Sequence, residues 1–271
     1  MSGEIRSECA EFYREAAQLL EVEGIPFLVG GAYALACYTG ISRQTKDVDF
    51  FLRAGDVDRA LVAFQNAGYD TEKTFPHWLA KVHAKDNLVD LIYAAGNGLC
   101  EVDDSWFTRA REDELLGRPV KIVAPEEMIW MKSFIQERER YDGADVAHLF
   151  LSCADLIDWQ HLRNRFAEDW RVLYSQIVLF GYIFPSERGR IPLELIREFN
   201  ARMQEEQLTS FPERICRGTL LSRAQYLPDV AERGYRDARL DPRSAMSRED
   251  VARWTAAMAE ENVEAPSKSG E

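Results

Sequence analysis

The stretch KDVDFFLR at 46–53 constrains the fold more than any other part of the sequence, because two carboxylates alternate there with apolar side chains. A period of two is the signature of a half-buried strand, so Asp47 and Asp49 share one face and Val48 and Phe50 the other. Aspartates two residues apart on one strand carry their side chains about 6–7 Å apart. At that distance they repel each other unless a cation lies between them, and hard oxygen donors suit Mg2+ or Mn2+. The chain therefore needs a sheet with one face closed by a core and the other open to ions.

The residues before this strand fit that requirement. IPFLVGG reads as a short buried strand ending at Gly30 and Gly31, and AYALACYTG as a helix of small apolar residues that can lie close to a sheet. A strand that ends in two glycines before a helix exposes backbone N–H groups where a phosphate can approach closely. Arg43 and Lys46, in the loop leading to the aspartates, are placed to meet triphosphate oxygens. A third carboxylate, Asp90, sits inside the strand pattern NLVDLIYA between Val89 and Leu91. An ionised aspartate inside a sheet is costly without a partner. That partner is either a metal shared with Asp47 and Asp49, if the strands are adjacent, or Lys81 or Lys85 across a hairpin. A double glycine alone is an ordinary turn, and D-x-D alone is common in capping. In the order strand, glycine pair, helix, loop, D-x-D strand and later strand aspartate, they describe a two-metal site for phosphoryl or nucleotidyl transfer.

Periodicity gives the remaining elements. A helix is expected over 4–20, another capped by Asp56 and closed by Gly68, and strands over 69–75, 78–84 and 88–93. A short helix follows Asp104, and a strand over 118–123 ends at Pro125, a residue suited to a helix start. Beyond it the patterns are almost wholly helical, one of them running from 157 to 184 without a break. The expected fold class is α/β (α+β): a small mixed sheet with flanking helices, then a mostly helical C-terminal half. The expected division is an α/β core over 1–124, a helical domain over 125–206 and a C-terminal extension over 207–271. Within that extension 228–246 is expected to be loose, Ser247 and Asp250 to start a helix as a capping box, and the last eight residues to be disordered.

Composition narrows the function classes. The net charge of −13 disfavours a general nucleic-acid coat. The five cysteines are isolated and never form C-x-x-C, which argues against a disulfide framework or zinc site. His77, His83, His148 and His161 lack metal-ligand spacing, and His77 and His83, which flank a strand pattern, read as surface or satisfied histidines. No apolar run approaches the roughly 20 residues that cross a bilayer. The N-terminal pattern is that of an acidic amphipathic helix rather than a signal peptide, so the expected location is cytoplasmic with no membrane contact.

FLVGGAYALACYTGISRQTKDVDFFL resembles the signature of the polymerase-β-type nucleotidyltransferase superfamily, and within it the AbiEii-like and minimal bacterial members. APEEMIWMKSFIQERERYDGADVAHLF extends the likeness through Pro125, Glu126, Lys132, Arg140, Asp142 and Asp145, so that it spans about 25–150. The chain departs from the pattern in having fifteen residues between Gly31 and Asp47, and in carrying Gly31 where many active members have serine. The resemblance implies a nucleoside triphosphate as substrate, with Asp47 and Asp49 holding two divalent metals. Asp90 would hold one metal and help deprotonate an acceptor hydroxyl, and Lys132 would steady the triphosphate. On its own pattern Lys132 is equally a helix lysine with its stem along apolar surface, and Asp142 and Asp145 are equally helix caps. The acceptor stays open among a small molecule, a protein and a tRNA end. A non-catalytic module that binds a nucleotide or a protein partner, and the toxin half of a toxin–antitoxin pair, are the alternatives.

Overall fold

A computed structural model describes residues 7–43, 47–85, 87–211 and 213–264. Helix α1 (Ser7–Val22) leads into strand β1 (Leu28–Val29), helix α2 (Gly31–Thr39) and strand β2 (Asp47–Phe51). Helix α3 (Val57–Asn66) is followed by the antiparallel run β3 (Asp70–Phe75), β4 (Leu79–Ala84) and β5 (Asn87–Ile92). Helix α4 (Asp104–Arg109) then precedes the hairpin β6 (Arg111–Leu115) and β7 (Arg118–Ile122). These seven strands form one mixed sheet in the order β3-β4-β5-β2-β1-β7-β6.

The alternation read in KDVDFFLR is present. Val48 and Phe50 are buried, as are Val89 and Leu91 on β5, while Asp47, Asp49 and Asp90 are only half-buried. The closed face is covered by α1 and α3, whose residues Phe12, Tyr13, Ala16, Leu20, Leu61 and Phe64 enter the core. Burial of that apolar face, at about 25 cal/mol per Å2, is what holds the carboxylate face in register.

Helices α5 (Pro125–Ser133), α6 (Gly143–Cys153), α7 (Trp159–Phe166), α8 (Trp170–Ile183) and α9 (Leu193–Gln207) supply the helical half. The long pattern expected over 157–184 is two helices, because Ala167 takes a positive φ of 43° between them. Asp56 does not cap α3 with its side chain; its carboxylate accepts from Arg59 instead.

The C-terminal segment differs most from expectation. The stretch predicted to be loose, 228–246, carries β9 (Arg236–Asp237), paired in parallel with the earlier β8 (Ile215–Cys216), and most of helix α10 (Leu227–Ala231), while the helix expected after it is α11 (Arg248–Glu264). It is tied down by polar contacts that leave no periodic trace. Arg239 and Asp237 form a buried ion pair at 2.7 Å, Asn97 donates to the Leu220 carbonyl at 2.8 Å, and Ala245 N donates to the Gly98 carbonyl at 2.9 Å. Ser247 and Asp250 make the expected capping box, with Asp250 N donating to Ser247 Oγ at 3.1 Å and Ser247 N to Asp250 Oδ2 at 2.9 Å. The expectation of a disordered end covers 264–271; Glu264 closes α11, and 265–271 lie outside the described residues.

Candidate active site

Three carboxylates meet where β2 and β5 run side by side. The two strands are parallel, and Asp49 lies directly opposite Asp90. On the far side of β5, Asp90 is paired in register with Lys81 of β4. One row across the sheet therefore reads Lys81, Asp90, Asp49, and Asp47 lies two residues from Asp49 on the same face. Lys81 Nζ is 3.9 Å from Asp90 Oδ1, too far for a hydrogen bond. Asp90 Oδ1 is buried with no hydrogen-bond partner. The partnership with Lys81 weighed from the sequence thus exists as a long ion pair that leaves the oxygen unsatisfied. Lys85 takes a positive φ of 54° in the hairpin turn.

The glycine pair is built around Asp49. Gly30 N donates to the Asp49 carbonyl at 2.9 Å, which ties the end of β1 to β2. A Cβ on Gly30 would come within 2.1 Å of the Phe51 ring, so this position is glycine for lack of space. Gly31 has a positive φ of 55°, and a Cβ there would lie 1.6 Å from Asp49 Oδ2. The Asp49 carboxylate occupies the place of the missing side chain. Gly31 opens α2, whose N-terminus has no side-chain cap.

A cationic cluster flanks the carboxylates. Lys132, near the end of α5, donates to Asp142 Oδ2 at 2.8 Å and to Asp145 Oδ2 at 2.7 Å. Arg43, from the loop before β2, pairs with the Asp145 carboxylate. Arg140 reaches Asp142 at 3.3 Å. Asp142 holds the N-cap position of α6 but makes no side-chain cap bond, its carboxylate being taken by Lys132 and Arg140. Lys132 is therefore neither a snorkelling lysine nor free in solvent. Lys46 lies outside the described residues. Arg140, Asp142 and Asp145 were visible as a spacing after Lys132, but their assembly with Arg43 links residues about a hundred positions apart and has no local signal.

The electrostatics follow. Burial first, then Asp90 and Asp47, push the Asp49 carboxyl up to about 7, while Lys132 and Arg140 pull against this. Asp90 is pushed up to about 6 by burial, opposed chiefly by Lys81. Among the described residues no group of three or more His, Cys, Asp or Glu side chains is arranged, as placed, to hold a metal ion. The donor set still fits a hard divalent cation: Asp90 and Asp47 raise the pKa of Asp49, two of these carboxylates stand opposite each other in register, and a buried oxygen lacks any donor.

These shifts carry a pH dependence. Both folded-state values lie above the ordinary 3.8. The folded state therefore holds more protons than the unfolded one between about 4 and 7, and stability falls as pH rises through that window. Asp49→Asn is expected to be more stable than wild type at pH 8 in EDTA, the gap closing below about pH 4. Urea unfolding at both pH values measures it, and a gap that widens on acidification contradicts the assignment.

No helix among the described residues is long and apolar enough to cross a membrane. His77 is buried rather than superficial, its Nε2 sitting 3.0 Å from the Gly96 carbonyl, and burial lowers its pKa. Among the described cysteines Cys37, Cys100, Cys153 and Cys216 are all free thiols.

Similar solved structures include the antibiotic-resistance factor ANT(2'')-Ia, solved in solution, at 16% identity over 63% of this chain and 97% of that one, with a TM-score of 0.46. The lincosamide antibiotic adenylyltransferase LnuA, lincomycin-bound, is similar at 14% identity over 54% of this chain and 98% of that one, with a TM-score of 0.38. JHP933 from Helicobacter pylori is similar at 16% identity over 74% of this chain and 97% of that one, with a TM-score of 0.33. No curated protein matches the sequence. Residues 9–215 match the family described as nucleotidyl transferase of unknown function (DUF2204), a span that takes in the glycine pair, all three carboxylates and the cationic cluster. Well over half of the chain lies within that match, and the chain belongs to this nucleotidyltransferase family of enzymes.

Proposed function

We propose that the protein moves a nucleoside monophosphate from a nucleoside triphosphate onto an acceptor hydroxyl, with Mg2+ or Mn2+ held by Asp47, Asp49 and Asp90. The observation that carries this reading is the register of Asp49 against Asp90 on adjacent parallel strands, with Asp90 Oδ1 lacking any hydrogen-bond donor. A divalent cation bound there would neutralise triphosphate charge and make the acceptor hydroxyl more acidic. The chain's own residues do the rest. Gly30 and Gly31 let the start of α2 come close to phosphate oxygens, whose charge its N–H groups favour. Arg43, Lys46 and Lys132 offer cations to the triphosphate, and Arg140 adds another. Asp90 accepts the proton of the acceptor hydroxyl as its oxygen attacks the α-phosphorus. The bond from that phosphorus to the bridging oxygen breaks, and pyrophosphate leaves with the electron pair. The nucleotide lies between an α/β half, residues 1–124, and a helical half starting at Pro125, since clefts between such halves are the usual place for ligands. The free thiols among the described residues, Cys37, Cys100, Cys153 and Cys216, support a cytoplasmic location.

The acceptor is a hydroxyl of a small molecule, a protein or a tRNA end. Each of the four labelled nucleoside triphosphates, with Mg2+ or Mn2+, is incubated with total tRNA, with the protein alone and with small hydroxyl compounds. Label transfer to one class is expected with wild type and not with the Asp47→Asn, Asp49→Asn double variant. Mn2+ titration of both proteins tests the site without an acceptor. Equal Mn2+ affinity in the two would sink the metal assignment.

A further inference from the structure

The loop over 134–142 carries Arg140 and Asp142 and is held to the helical half at its two ends, where Phe134 stacks on Phe166 of α7 and Asp142 accepts from Lys132 of α5. It folds back on itself: Gln136 and Tyr141 form an isolated bridge, Glu137 N donates to the Arg140 carbonyl at 2.8 Å, and Asp142 N donates to the Ile135 carbonyl at 3.1 Å. Its middle is anchored from far along the chain. Gln136 N donates to the Leu221 carbonyl at 3.1 Å. Arg223 Nε donates to Glu137 Oε1 at 2.7 Å and Arg223 Nη2 to Glu137 Oε2 at 2.9 Å, a two-pronged pair that is mostly buried on both sides.

Arg223 is itself held from behind. Its guanidinium lies 4.4 Å from the centre of the Trp254 ring on α11. Trp254 packs in turn against Phe75 at 4.8 Å and Trp78 at 5.2 Å, at the turn joining β3 and β4. Arg239 ties the two parts together, donating to Thr255 Oγ1 at 3.0 Å and to the Arg223 carbonyl at 3.5 Å. This strap lies wholly beyond residue 215, where the family match ends.

We propose that Arg223 is a positioning residue for the transfer site: through Glu137 it fixes the loop that sets Arg140 and Asp142 beside Lys132 and the carboxylate row. This rests on the transferase reading above. The coupling has a direct chain of contacts, since Asp142 accepts from Arg140 on the loop and from Lys132 on α5. The charges of Arg140 and Lys132 both bear on Asp49. Loss of the anchor leaves Asp142 tethered by Lys132 but lets Arg140 move away from it.

The test uses the full chain and two readouts. Hydrogen exchange over 134–142 reports loop anchoring without nucleotide, and titration with ATP, GTP, CTP and UTP plus Mg2+ reports the site. Arg223→Ala and Glu137→Gln are expected to speed exchange over 134–142 while leaving 87–92 protected. Each should weaken the tightest-binding nucleotide roughly tenfold, the low end of what loss of an outer-shell partner costs. Arg223→Lys, with one donating nitrogen in place of two, should fall between. Adding Arg223→Ala to Arg140→Ala should weaken binding no further, because the residue acts through Arg140. Unchanged exchange in Arg223→Ala overturns the proposal, as does faster exchange with wild-type affinity, or additive losses in the double variant. A wild-type protein that binds none of the four nucleotides overturns the transferase reading itself, and this inference with it.

Discussion

Gly31→Val is expected to abolish nucleotide binding, lowering affinity by more than about a hundredfold, some 3 kcal/mol. Two independent costs converge on this position. A β-branched residue at a φ of 55° is strained before any neighbour is considered. Any Cβ there would also overlap Asp49 Oδ2 at 1.6 Å, so the carboxylate must swing away from the strand register that pairs it with Asp90. The sequence suggested this glycine for close approach of phosphate, and the structure adds the carboxylate itself as a reason. The two reasons separate experimentally. Gly31→Ala combined with Asp49→Ala removes the overlap, and its unfolding midpoint should recover most of what Gly31→Ala alone loses. Binding should stay absent in both. If the second substitution restores no stability, the overlap is not the cost. If nucleotide protects Gly31→Val from heat as well as it protects wild type, the position has no part in the site.

Much of the fold was legible because one face of the sheet is buried. Alternation in KDVDFFLR and NLVDLIYA placed β2 within two residues of its bounds and β5 within one, and the hairpin that contains β4 followed from the same period. Strand β6 escaped notice for the same physical reason in reverse. REDEL lies at the sheet edge with a single neighbour, and only Leu115 of its five residues is buried, so it carries no apolar alternation. The break at Ala167 had no Gly or Pro to announce it. The C-terminal segment looked loose because ion pairs and side-chain-to-carbonyl bonds hold it, and such contacts impose no period on a sequence. In the site, the carboxylates were legible because a strand fixes where each side chain points. The pairing of Arg43 with Asp145, and of Arg223 with Glu137, joins residues that only tertiary structure brings together.

Asp90→Asn is expected to cut turnover by two or more orders of magnitude, about 3 kcal/mol or above in barrier, while leaving triphosphate affinity within a few-fold of wild type. The amide keeps the shape and the place on β5 but cannot take a proton from the acceptor hydroxyl. Asp47 and Asp49, one strand away, still face the nucleotide. The position is costly to maintain: burial raises the Asp90 carboxyl to about 6, and Lys81 stands 3.9 Å off without making a hydrogen bond. A residue kept only as the partner of Lys81 would gain from a closer approach. The competing structural role has its own signature. If Asp90 exists for Lys81, then Lys81→Met and Asp90→Asn should lose equal stability and equal activity, since each breaks the same pair. If Asp90 is the proton acceptor, Lys81→Met should retain most of the turnover, and Asp90→Asn, freed of a buried charge, should be at least as stable as wild type at pH 8 in EDTA. Single-turnover rates at saturating triphosphate separate chemistry from binding. Transfer by Asp90→Asn at near the wild-type rate would leave Asp90 as the structural partner of Lys81, and the reaction would need another base.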